Sequence, residues 1–406
     1  MSDHVETIMD AATGTSASKT RAPVVLQVLP GLETGGVERG TVDIAAAVVE
    51  AGGRSLVASS GGRMVRELER VGAEHFTLPL DRKGPLTILG NVRRLAALIR
   101  DNGVDIVHAR SRAPAWAAFF ACRRTGARFV TTFHGTYNVG PPFKKLYNSV
   151  MTRGERVIAI SRFIADHMVD TYKTDRRKIR VIHRGVDLQQ FDPANVPAPR
   201  VIQLAEQWRL PDDVPVVMLP GRLTRWKGQA LLIEALTRLQ HEPVRCLLVG
   251  HEQGRTGYRR ELERLIARRG LDSVVHIVGD CADMPAAYML ADVVVSASTD
   301  PEAFGRVMVE GQAMGKPVVA AGHGASPELL RPDETGWLFQ PGDADSLAVA
   351  VDHALSLDTA QREALAANAI ENVRANFSTA FMCERTIDLY SEILADVALA
   401  ERRAAS

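Results

Sequence analysis

The chain has 406 residues, of which 46% are hydrophobic and 24% are charged, so it is long enough for two globular domains of ordinary size. No apolar run approaches the roughly 18 residues of a membrane-spanning helix, so no segment is predicted to cross a bilayer. The net charge is +1, but residues 1–190 carry 28 Lys and Arg against 18 Asp and Glu, which leaves a net charge of −9 on the rest.

The basic first half predicts an anionic partner. We expect either a phosphorylated small acceptor or an anionic membrane surface, and the alternative is a solvated basic face without a partner. Few aromatic residues lie among the arginines, so nucleic acid is not an expected partner.

The termini and cysteines indicate a reduced, metal-free protein. Residues 1–22 are small and polar without the apolar core of a secretory signal, and we expect a disordered leader. The four cysteines are scattered and predict reduced thiols of a cytoplasmic protein: Cys122, Cys246, Cys281 and Cys383. No Cys and His residues have the spacing of metal ligands, so we expect neither a metal nor a cofactor.

The first half alternates apolar strands with helical stretches. A strand at 24–29 is followed by a loop with Gly35 and Gly36 and by a helix at 37–51. Further strands are predicted at 55–59, 76–80, 105–109, 128–133, 156–160 and 178–182. This alternation predicts a parallel sheet covered on both faces. The two glycines would let a ligand approach the backbone, or they would serve only the turn.

The second half repeats the pattern after a proline-rich stretch. Strands are predicted at 214–219, 244–249, 274–278, 293–298, 317–321 and 337–339. We therefore predict an α/β protein with two doubly wound Rossmann-like domains, at 23–190 and 201–375, joined by a linker at 191–200. Their strand ends would open onto one central cleft, and a helix at 376–406 would pack back across the junction.

A basic turn follows the first strand of the second domain. Gly221, Arg222, Lys227 and Gly228 lie between that strand and a helix start, where backbone N–H groups lack partners. Two cations beside such donors suit a diphosphate, and the alternative is a solvated surface turn. Neither the Gly-x-Gly-x-x-Gly nor the Walker pattern is present, so the residues do not predict a dinucleotide or P-loop site.

Two glutamates flank a short helix predicted between the strands at 293–298 and 317–321. Its apolar stripe begins at Phe304, and Glu310 lies roughly 110° around the helix from that stripe, so it points sideways from the sheet. Carboxylates repel phosphate, and we interpret Glu302 and Glu310 as acceptors for sugar or ribose hydroxyls. The alternative is two solvated glutamates on an ordinary loop.

One histidine is predicted to face the same cleft. His134 follows the strand at 128–133 and precedes Gly135, at the carboxyl edge of the first sheet. A lone histidine is often structural, but this one lies opposite the basic turn.

Together these motifs resemble the retaining, nucleotide-sugar-dependent glycosyltransferases of family 4, which have the GT-B fold. The resemblance covers nearly the whole chain after the leader. It is carried by Gly35-Gly36-Val37-Glu38, His134-Gly135, Ser161-Arg162, Gly185-Val186-Asp187, Gly221-Arg222-Leu223 with Lys227-Gly228, and Pro301-Glu302-Ala303-Phe304-Gly305 with Glu310.

The resemblance implies a role for each matching residue. Arg222 and Lys227 would bind the donor diphosphate, Glu310 would accept from the ribose, and His134 would contact the donor sugar. Glu302 and the amides near Phe304 and Gly305 would hold that sugar. Two positions depart from the family: Arg184 stands where asparagine is common, and Ala325 stands where a second glycine is common.

The implied activity is transfer of a hexose or N-acetylhexosamine from a nucleoside diphosphate to an acceptor hydroxyl, with retention and without a metal. The basic first half favours a cell-envelope acceptor, such as a lipopolysaccharide core or a lipid-linked saccharide, at the inner face of the cytoplasmic membrane. Two alternatives remain open: a nucleotide-sugar 2-epimerase, which needs no acceptor, and a non-catalytic nucleotide-sugar sensor.

Overall fold

The structure, a computed structural model, describes residues 22–137, 140, 142–254 and 256–405. Residues 1–21 of the predicted leader lie outside this description. The described chain forms two parallel sheets of seven and six strands, each with its own set of helices. We call the parts built on them the N-terminal lobe and the C-terminal lobe.

The N-terminal lobe has the strand order β3-β2-β1-β4-β5-β6-β7. Its strands are β1 (Val24–Val28), β2 (Arg54–Ser59), β3 (Glu74–Thr77), β4 (Ile106–Ala109), β5 (Arg128–Phe133), β6 (Arg156–Ala159) and β7 (Ile179–Val181). Its helices are α1 (Gly36–Glu50), α2 (Val65–Arg70), α3 (Pro85–Asn102), α4 (Arg112–Thr125), α5 (Pro142–Asn148) and α6 (Arg162–Tyr172).

The C-terminal lobe has the order β10-β9-β8-β11-β12-β13. Its strands are β8 (Val216–Pro220), β9 (Arg245–Val249), β10 (Val275–Gly279), β11 (Val293–Ser296), β12 (Val318–Ala321) and β13 (Trp337–Phe339). Its helices are α7 (Ala198–Trp208), α8 (Gln229–Leu236), α9 (Thr256–Arg269), α10 (Met284–Leu290), α11 (Arg306–Ala313), α12 (Ser326–Leu329), α13 (Ala344–Leu355) and α14 (Thr359–Asn376).

Side chains of a single strand enter both cores of the N-terminal lobe. Leu26 and Val28 belong to the cluster that includes residues of α3 and α4, whereas Val25 packs with residues of α1 and of the C-terminal tail. Successive side chains of a strand point to opposite faces, so this sheet is covered on both sides. The predicted α/β fold with two doubly wound sheets is confirmed.

One predicted strand is displaced. The apolar run at 76–80 predicted a strand, but β3 spans Glu74–Thr77. Its register is fixed by pairing with β2, from Leu56 opposite Glu74 to Ser59 opposite Thr77. Pro79 has no backbone N–H to donate to a strand ladder, so the strand does not continue through it. An edge strand with a solvated face tolerates polar residues, and an apolar pattern therefore does not mark where it begins.

The C-terminal tail joins the two lobes, as predicted. Asn372 on α14 donates to Gln312 on α11 at 2.9 Å, whereas the last helix, α15 (Thr379–Ala405), packs on the N-terminal sheet. Tyr390 of α15 hydrogen-bonds His108 at 2.6 Å, and Glu392 pairs with Arg156 at 2.9 Å. No helix in the described ranges is long and apolar enough to cross a membrane.

The lobes also contact each other beside the cleft. Ser161 Oγ donates to the Ala303 carbonyl at 2.7 Å, and Glu328 accepts from the amides of Arg162 and Phe163 at 2.7 and 2.8 Å. Those amides open α6, where a negative charge is favoured. Glu328 also hydrogen-bonds His183 at 3.0 Å. Burial opposes ionisation of Glu328, but these hydrogen bonds outweigh it and lower its pKa.

Candidate functional site

A cleft of about 680 Å³ lies between the carboxyl ends of the two sheets. Several of its lining residues directly follow strands: His134 follows β5, Gly221 follows β8 and Gly250 follows β9. The order of the second sheet reverses between β8 and β11, the place where open α/β sheets bind ligands. Seven residues predicted for donor binding or catalysis meet here: His134, Arg222, Lys227, Glu302, Phe304, Gly305 and Glu310.

The basic turn after β8 is held tightly against the sheet. Gly228 has φ of +76°, and a Cβ there would lie 1.8 Å from the Ala297 carbonyl oxygen, so only glycine fits. Gln229 donates to the Arg222 carbonyl at 2.9 Å. These contacts order the loop and place Arg222 and Lys227 at the cleft. The side chains of the two cations are not needed to hold the loop in position.

Lys227 and Glu302 form an ion pair in the cleft wall. Ser298 Oγ also donates to Glu302, at 2.6 Å, and the Lys227 ammonium lies 4.4 Å from the Trp226 ring centroid. The sequence predicted separate tasks for the two charges, a cation for phosphate and a carboxylate for hydroxyls. The structure shows the two charges as partners of each other.

Ala325, which stands where the resemblance implies a second glycine, still supports the position of Glu302. The Ala325 amide donates to the Glu302 carbonyl at 2.9 Å. The preceding Gly324 has φ of +61°, and a Cβ there would lie 2.6 Å from the same carbonyl oxygen. One glycine is therefore enough for the close approach at this turn, and Ala325 fits beside it.

The short helix begins later than predicted. α11 starts at Arg306, and Gly305 before it has φ of +96°, so Phe304 lies in the loop rather than on the helical stripe. Phe304 is buried near the His183 and Phe377 rings, each with its centroid 6.3 Å away. A left-handed residue interrupts helical geometry, which is why the apolar stripe extended too far.

Glu310 is buried, not solvated. Its side chain accepts from the Tyr288 hydroxyl at 2.8 Å and from Arg306 at 2.6 Å, and it still lines the cleft. Burial, followed by the charge of Glu310, raises the pKa of Tyr288 well above its usual range, so the hydroxyl remains a donor. Its burial and its two partners were not foreseen from the sequence.

His134 is neutral and has one unused ring nitrogen. Burial and the charges of Arg184 and Arg110 hold its pKa well below the usual range. Arg184 Nη2 lies 3.4 Å from Nδ1, while Nε2 is buried and has no partner among the described residues. Arginine can only donate, so we assign the ring proton to Nε2, which is left as a donor for a ligand.

Gly35 and Gly36 do not line this cleft. Gly36 lies at a second, smaller cavity, and a Cβ on it would approach Arg184 Nη1 to 2.6 Å. The group that approaches the backbone at Gly36 is an arginine of the chain itself. A Cβ at Gly35 would meet the Glu38 carboxylate at 2.3 Å.

Several residues of the site were not predicted from the sequence. Arg306 stands four residues before Glu310, a helical spacing that could have indicated their ion pair. Tyr288 lies on α10, 22 residues away, and no local pattern connects it with Glu310. Among the described residues, no group of three or more His, Cys, Asp or Glu could hold a metal ion.

Comparison with known proteins identifies the family. The model of Glycosyltransferase Family 4 matches residues 34–190, and that of Glycosyl transferases group 1 matches residues 202–372. A D-inositol 3-phosphate glycosyltransferase of Xylanimonas cellulosilytica is 31% identical over 294 residues, which are 68% of this chain and 70% of that protein. The chain belongs to the group 1 glycosyltransferases of family 4.

Solved structures of other glycosyltransferases share the whole architecture. A glycosyltransferase from Rickettsia africae is 39% identical and superposes with a TM-score of 0.86 over 92% of this chain and 99% of that one. Anabaena HepE, solved in complex with UDP and glucose, is 25% identical with a TM-score of 0.76 over 91% and 100% of the two chains. The GT-B fold of this glycosyltransferase is therefore confirmed.

Proposed function

We propose that this glycosyltransferase moves a hexose or N-acetylhexosamine from a nucleoside diphosphate to a hydroxyl of a cell-envelope saccharide, with retention of configuration. The observation that carries the proposal is the convergence of Arg222, Lys227 and the amino end of α11 on one wall of the cleft. Two cations and unpaired amides suit a diphosphate. The UDP and UDP-glucose complexes of HepE support a nucleotide sugar as donor.

Donor binding would exchange partners within the cleft. The diphosphate competes with Glu302 for Lys227, which frees the Glu302 carboxylate to accept hydroxyls of the donor sugar. Glu310, held by Tyr288 and Arg306, would accept from the ribose hydroxyls. His134 would donate from Nε2 to the sugar on the opposite side.

The chemical step needs charge stabilisation at the leaving group. The bond from the anomeric carbon to the phosphate oxygen breaks, the acceptor oxygen bonds to the same face, and the departing phosphate takes the acceptor proton. Arg222, Lys227 and the α11 amides would stabilise the negative charge that grows on the diphosphate. Because these fixed groups supply that charge, we propose that no divalent metal is required.

We also propose that the acceptor is presented at the inner face of the cytoplasmic membrane. The first half is basic, the amino end of α3 exposes one apolar side chain, and α5 exposes two next to Lys144 and Lys145 in the sequence. Leu86 is 84% exposed, Phe143 is 70% exposed and Leu146 is 60% exposed. Apolar residues beside lysines suit an anionic bilayer surface.

A donor panel tests the proposal. Purified protein is incubated with UDP-, GDP- and ADP-sugars, binding is measured as a rise in melting temperature, and products are analysed with and without an envelope-lipid extract. We expect one nucleotide sugar to stabilise the protein and its sugar to appear on a lipid with the anomeric configuration kept. A new sugar nucleotide formed without extract would indicate epimerisation. Tight binding without turnover would indicate a sensor.

A further inference from the structure

A second cavity lies in the N-terminal lobe behind the donor cleft. It has a volume of about 40 Å³ and lies between α1, the ends of β4 and β5, and Met382 and Thr386 of α15. The order of the first sheet reverses between β1 and β4, so this cavity also occupies a point where such sheets bind ligands. His134, Arg184 and Arg306 line both spaces. We call this cavity the inner chamber.

Arg110 is a buried cation that faces the chamber and forms no ion pair with the described residues. It follows β4, is only 4% exposed, and donates to Gln27 at 3.3 Å. Its Nε is buried without a partner, and no carboxylate in the described ranges lies within 4.0 Å of it. A buried charge costs free energy unless something pairs with it. Among the described residues its one hydrogen bond goes to Gln27, so the guanidinium still has donors for an anion.

Arg184 supplies a second cation to the same space. Burial, followed by the charges of Arg110 and Arg306, lowers the pKa of Arg184 to about 10, so it stays protonated at neutral pH. Among the described residues its side chain makes one hydrogen bond, the long one to His134 at 3.4 Å.

The carboxylates near the chamber do not pair directly with its guanidiniums. Burial raises the pKa of Asp43 to about 6, although the charges of Arg39 and Arg110 oppose that shift. The charge of Glu38 favours the protonated forms of Arg110 and Arg184. Among the described residues neither guanidinium forms an ion pair with a carboxylate, so both keep donors for an anion.

Helix α1 is shaped to admit both guanidiniums. A Cβ on Gly36 would lie 2.6 Å from Arg184 Nη1, and a Cβ on Gly40, one turn later, would lie 3.0 Å from Arg110 Nη2. Residues four apart share one face of a helix. Two glycines on that face thus create the space in which the two cations approach the backbone.

We propose that the inner chamber binds one anionic group of the acceptor, a carboxylate or a phosphate, through Arg110 and Arg184. The inference rests on the proposed glycosyl transfer and specifies its acceptor. A volume of about 40 Å³ exceeds what one water needs but holds no sugar ring, so the group must be compact. Because His134 and Arg184 border both spaces, the reacting hydroxyl would lie within a few bonds of the anion.

The test uses the whole chain with its donor site filled. Protein saturated with the nucleoside diphosphate that stabilises it best is titrated with sodium phosphate or sodium acetate at constant ionic strength, and binding is followed by the melting temperature. We expect at least one anion to stabilise the wild type. Arg110→Gln and Arg184→Asn should each raise its dissociation constant about tenfold or more, since each removes hydrogen bonds to a charged group.

The control and the readouts separate the two proposals. Arg54→Gln changes an arginine at the opposite edge of the same sheet, paired with Glu74, and should bind the anion like the wild type. Stabilisation by phosphate alone assigns a phosphate on the acceptor, and stabilisation by acetate alone assigns a carboxylate. The proposed anion site is overturned if neither anion stabilises the wild type. It is also overturned if either variant still binds the diphosphate and binds the anion as tightly as the wild type does. Absence of diphosphate binding by the wild type instead overturns the proposed function.

Discussion

Lys227 and Glu302 form an ion pair in the wall of the cleft, and Ser298 donates to the same Glu302 oxygen at 2.6 Å. The side chains of the pair are only 15% and 11% exposed, so water screens their attraction little. In the proposed binding mode, a donor diphosphate would draw Lys227 away from this partner. The pair would then influence both the affinity for the diphosphate and the availability of Glu302 to a sugar hydroxyl.

Removing the charge of Glu302 should tighten binding of the free nucleoside diphosphate. We expect Glu302→Gln to lower the UDP dissociation constant by up to about tenfold, because Lys227 is released and a repelling carboxylate is lost. Turnover should fall at the same time, since the sugar loses an acceptor. Isothermal titration with UDP measures the first effect, and Glu371→Gln on the exposed face of α14 is the control. Weaker UDP binding by Glu302→Gln would contradict this account.

Removing either cation of the basic turn should slow the reaction. We expect Arg222→Ala and Lys227→Ala each to reduce kcat by about 100- to 1,000-fold, the effect of losing one group that stabilises transition-state charge. Arg225→Ala is the matched control, because Arg225 belongs to the same turn but pairs with Glu261 outside the cleft. Donor turnover with a fixed extract is the measurement, and normal rates in both cleft variants would remove these residues from the mechanism.

Loss of the Tyr288 hydroxyl should weaken donor binding without abolishing chemistry. Tyr288→Phe leaves the buried Glu310 with one partner fewer, at a cost of about 1–3 kcal/mol in stability. We expect KM for the donor to rise severalfold and kcat to change little, because the ribose lies away from the reacting bond. Tyr258→Phe, which removes another buried hydroxyl, is the control for stability alone. An unchanged KM would show that Glu310 does not need Tyr288.

The lobe contact at Glu328 should depend on pH in one direction. Its pKa is lower in the folded protein than the usual 4.5, so its stabilising contribution is complete above that value and is lost as the pH falls through the lower pKa. We expect Glu328→Gln to reduce the melting temperature by a few degrees at pH 7 and progressively less in acid. Thermal unfolding from pH 7 to 3 measures this, with Glu334→Gln as an exposed control. A constant difference between variant and wild type would contradict the assignment.

The exposed apolar residues of α5 should govern membrane contact. We expect the double substitution Phe143→Ser and Leu146→Ser to reduce co-sedimentation with anionic vesicles at low salt severalfold, because both side chains are solvated in the free protein. Val349→Ser, which removes an equally exposed apolar side chain from the C-terminal lobe, should have no effect. If wild-type protein bound neutral and anionic vesicles equally, the membrane proposal would fail.

The fold could be predicted because its signals are local. Apolar strands alternate with helices along the whole chain, and parallel strands linked in this way bury both faces of a sheet. The predicted element boundaries were wrong where contacts with a neighbouring strand or the conformation of an adjacent residue sets them. β3 begins at Glu74 because β2 pairs with it there, and α11 begins at Arg306 because Gly305 takes a left-handed conformation.

The sequence by itself identified seven residues that border the cleft, because side chains that follow strands gather at the carboxyl edges of parallel sheets, but it did not identify Arg306. Only the tertiary structure decided which of them are partners. Lys227 meets Glu302 75 residues away, Tyr288 reaches Glu310 from another helix, and Arg110 and Arg184 converge on α1 from separate strands. Side-chain pairing depends on packing between elements distant in sequence, and no periodicity along the chain encodes those distances.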